Sequence, residues 1–283
     1  MSEGCSFARI SFPKIKKRKK VHMLEKMKLP GTAGLAGAAA VAAVLCTAGA
    51  ARADEAQARE IFQAMADYLV AQTAFSFDYD STLDIVTDAS QKLAIASSGQ
   101  VTVERPNKIH ATRNGGFATV ETLFDGETLT VLNVDEKLFA KAPLSGSIND
   151  LIDTLRNTYK RSVPAADLLL DDVDTAMMPL FTDVKDLGAG VIRGTVCDHL
   201  AFRTEEADLQ IWIAQGDTPY PCRYAITNTQ FEGWPEYRID IYNWKAGDAA
   251  IADFTLALPD GAQEVEVLAI PHLSELSGIF SVE

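Results

Sequence analysis

The sequence has 283 residues, 47% of them hydrophobic, and its 26 Lys and Arg against 39 Asp and Glu give a formal net charge of −13. Such an acidic chain repels phosphate backbones and anionic membrane surfaces, which argues against nucleic acid as a partner. The apolar fraction is sufficient for a real core and excludes a wholly disordered chain.

The N-terminal segment has the layout of a secretory signal peptide. Residues 33–50 are apolar and rich in alanine, follow Lys26 and Lys28, and precede an Ala-x-Ala cleavage site at 51–53. We therefore expect residues 1–53 to be removed, as a signal with a basic upstream extension, and residues 54–283 to form a single domain in the periplasm. An uncleaved anchor is the alternative, and the true start methionine is left open.

Removal of residues 1–53 changes both the charge and the cysteine content. The basic residues fall from 26 to 16 and the acidic ones from 39 to 37, a net charge of −21. Cys5 and Cys46 leave with the signal, and no second apolar run in the mature chain is long enough to span a membrane. The mature protein then has one cysteine pair, Cys197 and Cys222, in an oxidising compartment.

The mature chain begins with a helical pattern and continues with strands. Residues 54–72 place apolar side chains three and four apart, which predicts an amphipathic helix. Residues 75–85 alternate between apolar and polar, and residues 93–103 continue that pattern with Ser97 and Gly99 between the apolar positions, as in a curved strand. Turn signals at 113–116 and 124–127 then predict an antiparallel meander.

The period becomes helical between residues 148 and 181 and returns to strands from residue 191 onward, with a final strand expected within 252–267. A sheet of about eleven strands tends to curl on itself. The predicted fold class is mainly β: a curled antiparallel half-open barrel with an N-terminal helix and the mid-chain helices as a lid.

The cysteine pair has three interpretations. Cys197 and His199 share a strand face, so with Cys222 they offer three soft metal ligands, or a thiol beside a base. The simplest reading in an exported protein is a disulfide. In a regular meander the two cysteines are separated by an intervening strand, too far for a disulfide, so this reading requires a bulge or bend near Cys222.

The inner face of the predicted sheet and the helical insert supply the remaining candidate site. Together they could line an apolar cavity in which adjacent methionines beside Pro179 repack around differently shaped guests. An ordinary filled core is the alternative. The predicted cavity-lining residues are Phe75, Phe77, Tyr79, Leu93, Ile95, Phe124, Val131, Met177, Met178 and Phe181.

No motif in the sequence predicts catalysis or a cofactor. Four aspartates between 167 and 174 follow no calcium-loop pattern, so a solvated face is favoured. The glycines at 188–194 lack the lysine and the strand-to-helix switch of a phosphate loop. We expect no catalytic residue, no metal and no cofactor.

Several segments resemble a known family. The stretches "FDGETLTVLN", "CDHLAFR", "LQIWIAQGDTPYPCRYAIT" and "YRIDIYNW" are similar to the predicted periplasmic proteins gathered as domain of unknown function 2092. That family is similar in architecture to periplasmic lipoprotein carriers, which have a half-open barrel, a helical lid and a cavity for acyl chains. The resemblance implies, by analogy, that acyl chains are bound.

Three functional hypotheses follow. The first is a periplasmic binding protein that holds a lipid or acylated ligand in its apolar cavity. The second is a sensor or regulator of envelope signalling that binds a protein partner. The third is an enzyme that uses Cys197 and His199.

Overall fold

The computed structural model describes residues 55–87, 89–159, 166–250 and 253–273. The predicted signal peptide lies outside the described residues. The strands are β1 Ala74–Val86, β2 Lys92–Glu104, β3 Lys108–Gly115, β4 Thr119–Phe124, β5 Thr128–Asn133, β6 Leu138–Pro143, β7 Asp183–Ile192, β8 Thr195–Arg203, β9 Ala207–Ala214, β10 Pro221–Asn228, β11 Glu236–Ala246 and β12 Gln263–Glu264.

Within the described residues, three α-helices accompany the sheet: α1 Glu55–Ala71, α2 Ile148–Asn157 and α3 Val173–Met177. Short 3₁₀ turns at Ala166–Leu169 and Met178–Leu180 complete the predicted mid-chain insert. The capping box of α2 explains why it begins where it does. The Ser147 side chain accepts from the Asp150 N–H, and the Asp150 carboxylate accepts from the Ser147 N–H.

All twelve strands belong to one sheet, in the order β12-β6-β5-β4-β3-β2-β1-β11-β10-β9-β8-β7. It consists of two antiparallel meanders, β1–β6 and β7–β11, joined by an antiparallel seam between β1 and β11. The sheet is not closed, so the predicted half-open barrel is confirmed.

The final strand is shorter than predicted. Only Gln263 and Glu264 pair with the sheet, in parallel with β6. Residues 253–262 contain no strand, and two features account for this: Pro259 cannot donate to a ladder, and Gly261 has a φ of +81°.

The glycine in the curved strand β2 allows a tyrosine side chain to cross that strand closely. Tyr79 on β1 lies opposite Gly99 on β2, and its hydroxyl donates to the Thr112 carbonyl on β3 at 3.1 Å. A Cβ on Gly99 would lie 1.9 Å from that carbonyl oxygen and 2.7 Å from the Tyr79 ring. Only glycine lets the tyrosine cross this point of the sheet.

The main core lies between the concave face of the sheet and the helices. Helix α1 contributes Phe62, Met65 and Leu69, each no more than 1% exposed. Alternate residues of β9 and β10, including Leu209, Ile211 and Tyr224, complete the same core. The convex face is mostly polar, as the alternation in the strands predicts.

Candidate functional site

The concave interior is covered by helix α1, which packs on aromatic side chains from two other elements. Phe62 of α1 makes edge contacts with Phe181, at 5.7 Å between ring centroids, and with Phe202 of β8, at 5.3 Å. Phe181 and Phe202 stack at 4.3 Å. Helix, insert and sheet therefore meet in a single aromatic cluster that closes this part of the half-barrel.

Most of the residues predicted to line a cavity lie within the buried core. Met178 is half-buried and packs against the core from the lid. Leu93 and Ile95 are half-buried on β2 and lie outside the described core cluster. The predicted lining residues that are buried together are Phe75, Phe77, Tyr79, Phe124, Val131, Met177 and Phe181.

The lid is fastened to the barrel through polar contacts at its base. Arg105 at the end of β2 donates to the carbonyls of Leu169, at 2.8 Å, and Leu170, at 3.3 Å. Its guanidinium also lies 5.6 Å from the centre of the Phe75 ring, and burial lowers its pKa. Arg105 at the end of β2 thus contacts both the lid and the aromatic ring of Phe75.

All four aspartates of the insert, Asp172 included, accept hydrogen bonds from side chains of α1 or α2. Asp167 pairs with Arg156 of α2 at 2.5 Å. Asp171 accepts from Asn149 at 2.6 Å, and Asp174 accepts from Gln63 of α1 at 3.2 Å. Within the described part of the chain no cluster of potential metal ligands occurs.

Two buried polar atoms face the interior without a hydrogen-bond partner among the described residues: the Tyr224 hydroxyl and the Asp167 Oδ2. Tyr224 is 1% exposed and Asp167 3%. Burial, together with the negative charge of Asp167, raises the pKa of Tyr224 well above its usual range. A donor and an acceptor thus lie buried beside the apolar core, where Arg156 pairs with the other oxygen of Asp167.

The cysteines lie on the convex face of the sheet. Cys197 is opposite Ala214 on β9, and the β9–β10 ladder shifts register between Pro221 and Arg223. This bulge contains Cys222. A disulfide across β9 requires an irregularity of this kind near Cys222. Both are buried thiols, in a small cluster with Ile192 and Ala214, separate from the main core. The pair lies 2.6 Å apart, beyond the bonded length of about 2.05 Å.

The geometry gives no support to a catalytic thiol. The imidazole of His199 stacks on Trp212 at 4.0 Å, and its Nε2 lies 3.0 Å from the Gln210 Oε1. Burial raises the pKa of Cys197 and, more strongly, that of Cys222. A nucleophilic thiol requires the opposite shift.

The family model for predicted periplasmic proteins, DUF2092, matches residues 58–268. The chain belongs to this family. This places the protein in the periplasm, as the N-terminal sequence predicts. No curated protein matches the sequence. Among the residues that the structure describes, none of the helices combines the length and apolarity needed to cross a bilayer.

Several solved structures are similar at low identity. Lipoprotein LppX of Mycobacterium tuberculosis is 14% identical, with 67% of this chain and 95% of that chain covered and a TM-score of 0.44. LprF of Mycobacterium bovis is 12% identical, with 74% and 98% covered and a TM-score of 0.43. A chain of the Pseudomonas aeruginosa MucA/MucB complex is 15% identical, with 70% and 59% covered and a TM-score of 0.40. Likenesses at this level carry no functional argument.

Two features of the site were not predictable from local sequence patterns: the position of the Tyr224 hydroxyl and a cleft on the convex face. The alternation in β10 puts Tyr224 on the inner face, but nothing local indicates that its hydroxyl meets the insert. The second is an open polar cleft on the convex face, beside Trp234. The sequence "FEGWP" around Trp234 signals only a turn.

Proposed function

We propose that the protein is a periplasmic carrier that binds a lipid or lipid-modified ligand in the interior of its half-barrel. The observation that carries this proposal is the construction of that interior: a concave apolar sheet face under a helical lid, with the Tyr224 hydroxyl and the Asp167 Oδ2 buried there without a hydrogen-bond partner among the described residues. Ligand sites commonly combine an apolar lining with a few polar groups that set orientation. Binding, with no chemical step, is the activity we propose.

The lid is suited to opening around an acyl chain. Its contacts with the interior are apolar, through Met177, Phe181 and the half-buried Met178. Methionine is unbranched and flexible, so it adapts to guests of different shape at low cost. Arg105, which binds the Leu169 and Leu170 carbonyls at the base of the lid, would hold it in place while the apolar layer separates from α1.

Tyr224 and Asp167 are suited to bind the polar end of the ligand. The tyrosine hydroxyl donates a hydrogen bond and the free carboxylate oxygen accepts one. A ligand group that both donates and accepts, such as a hydroxyl or an amide, would satisfy both atoms. Asp167 is paired with Arg156, so the position carries no net charge and a neutral polar group fits it best.

The test begins with native mass spectrometry of the mature protein purified from periplasm, followed by lipid extraction of the same sample. We expect a mass excess that extracts as acyl species. The variant Tyr224→Phe removes one hydroxyl from the interior and should reduce the bound fraction, because the ligand loses its donor. The matched control is Tyr242→Phe on the convex face, where the hydroxyl donates to Asp80 at 3.4 Å.

If neither the wild type nor Tyr224→Phe carries a bound acyl species, the proposed carrier function is contradicted. Equal lipid content in Tyr224→Phe and wild type would leave the carrier intact and remove Tyr224 from the binding site. Without ligand, Tyr224→Phe should be neutral or slightly stabilising, because the lost hydroxyl has no partner among the described residues.

We propose also that Cys197 and Cys222 form a disulfide in the periplasm. The bulge at Cys222 brings the thiols together across β9, and an oxidising compartment favours their bond. The bond would staple β8 to β10 on the face opposite the ligand.

A second candidate function is the binding of a protein partner, favoured by the edge of the sheet. Leu187, Val191 and Val196 are 48%, 66% and 48% exposed on the β7–β8 hairpin, and β7 ends the strand order. An extended peptide could add to this edge. A photocrosslinker at position 191 that captures one specific envelope protein, from a preparation free of lipid, would favour this function over the carrier.

A further inference from the structure

The convex face has an open cleft at the end of the sheet opposite the cysteine bulge. Its volume is about 720 Å³, within the range of roughly 300–1,000 Å³ typical of ligand sites. It lies where the first residues of β2 and β11 meet the last residues of β1 and β10. Its lining residues are Asp84, Lys92, Thr227, Gly233, Trp234, Glu236 and Arg238.

The rim of the cleft carries an exposed indole on a hydrogen-bonded turn. Trp234 is 61% exposed, third after Val191 and Leu268 among the exposed large hydrophobic side chains of the described residues. The backbone N–H of Trp234 donates to the Phe231 carbonyl at 3.1 Å, and its backbone carbonyl accepts from the Lys92 Nζ at 3.1 Å. The backbone of the turn is thus held by two hydrogen bonds.

Glycine at position 233 is required for this turn. Gly233 has a φ of +86°, and a Cβ there would lie 3.0 Å from the Val86 Cγ2. The turn therefore packs directly on the end of β1. An exposed aromatic ring on a rigid turn loses little entropy when a ligand stacks on it.

The polar lining carries both signs of charge in equal number. Lys92 pairs with Asp84 at 3.1 Å, and Arg238 pairs with Glu236. Thr227 donates to the second oxygen of Glu236 at 3.1 Å. With two bases and two acids the cleft has no net charge, so neither an anion nor a cation is favoured.

These features point to one class of ligand. A hydroxyl group both donates and accepts, so a ligand rich in hydroxyls matches a lining of paired donors and acceptors. The C–H face of a pyranose ring is apolar and flat, and it stacks on an exposed indole. Peptide recognition would instead use a sheet edge or several apolar pockets, whereas Trp234 is the one large apolar side chain in this lining.

We propose that this cleft binds a neutral oligosaccharide, with Trp234 stacking on a sugar ring and the Asp84, Lys92, Glu236 and Arg238 side chains binding its hydroxyls. The site is separate from the lipid interior, since its lining lies on the opposite face of the same strands. The protein would then hold a glycan on its convex face independently of any lipid.

The test is a titration of the mature protein with neutral tetrasaccharides, including chitotetraose and maltotetraose. Binding is measured by tryptophan fluorescence and by calorimetry. We expect saturable binding of at least one of them. Trp234→Ala should weaken it roughly tenfold, because the stacking surface is lost. Arg238→Gln should weaken it roughly threefold, and it provides a second variant if Trp234→Ala folds poorly.

The control is Leu268→Ala, which removes an apolar side chain of similar exposure, 65%, outside the cleft. The affinity of the Leu268→Ala variant for the tetrasaccharide should equal that of the wild type. The proposal is overturned if no tetrasaccharide binds at millimolar concentration, if both cleft variants retain full affinity, or if Leu268→Ala weakens binding as much as they do. Displacement of the sugar by a proline-rich peptide of higher affinity would also overturn it.

Discussion

The two faces of the sheet are built from the same strands but organised differently. On β10 the inner residue Tyr224 is buried in the apolar core, while its neighbour Arg223 forms a two-point ion pair with Asp240 of β11, at 2.5 and 2.7 Å. The concave face is one continuous apolar layer. The convex face is a series of local polar sites: a cysteine bulge, a histidine stacked on tryptophan, and a cleft.

The difference teaches that the two faces are stabilised in different ways. The concave layer excludes water from many side chains at once, so its contribution grows with area. Each convex site depends on a few contacts and can change without loss of the core. Three further predictions test this division.

The largest effect is expected from Phe62→Ala in the concave layer. It removes the ring that joins α1 to Phe181 and Phe202, and should lower the free energy of unfolding by about 3–5 kcal/mol. Phe117→Ala, at a side chain that is 39% exposed, is the matched control and should cost less than about 1 kcal/mol. Urea denaturation measures both. Similar losses in the two variants would mean that the core is not organised around Phe62.

An intermediate effect is expected from the cysteine pair. If Cys197 and Cys222 form a disulfide, addition of a reductant should lower the free energy of unfolding by about 3 kcal/mol, because the unfolded chain loses a cross-link. The double variant Cys197→Ala with Cys222→Ala should be insensitive to the reductant. Intact mass before and after reduction shows whether the bond exists. A wild-type protein indifferent to reductant would contradict the pairing.

The smallest effect is expected from His199. Burial lowers its pKa in the folded protein, with the Gln210 contact acting in the opposite direction, so the unfolded chain takes up the proton first as the pH falls. The contribution of His199 to the free energy of unfolding should therefore be fully present above about pH 6.5 and should decrease progressively below it. His199→Gln removes that dependence. The measurement is the difference in unfolding free energy between variant and wild type at about pH 7.5 and pH 5. A difference that does not change with pH would contradict the shift.

The sequence predicts the concave face well and the convex face poorly. Alternation places Phe75, Phe77 and Tyr79 on one side of β1, and the structure buries all three. The bulge at Cys222 was predictable only as a requirement of the disulfide. The cleft was not predictable, because its lining comes from two hairpins, β1–β2 and β10–β11, that are distant from each other in sequence. The Tyr224 hydroxyl, which has no partner among the described residues, was hidden for the same reason, since it lies near a lid inserted between the two meanders.

The seam between β1 and β11 has a consequence for how the chain folds. Each meander pairs neighbours in sequence, so either can form from local contacts. The seam joins residues 74–86 to residues 236–246 and requires almost the whole chain. Long-range pairing of this kind is slow. A chain exported from its N-terminus would therefore reach the periplasm with β1 still unpaired on that side, and the half-barrel would assemble only after β11 has crossed the membrane.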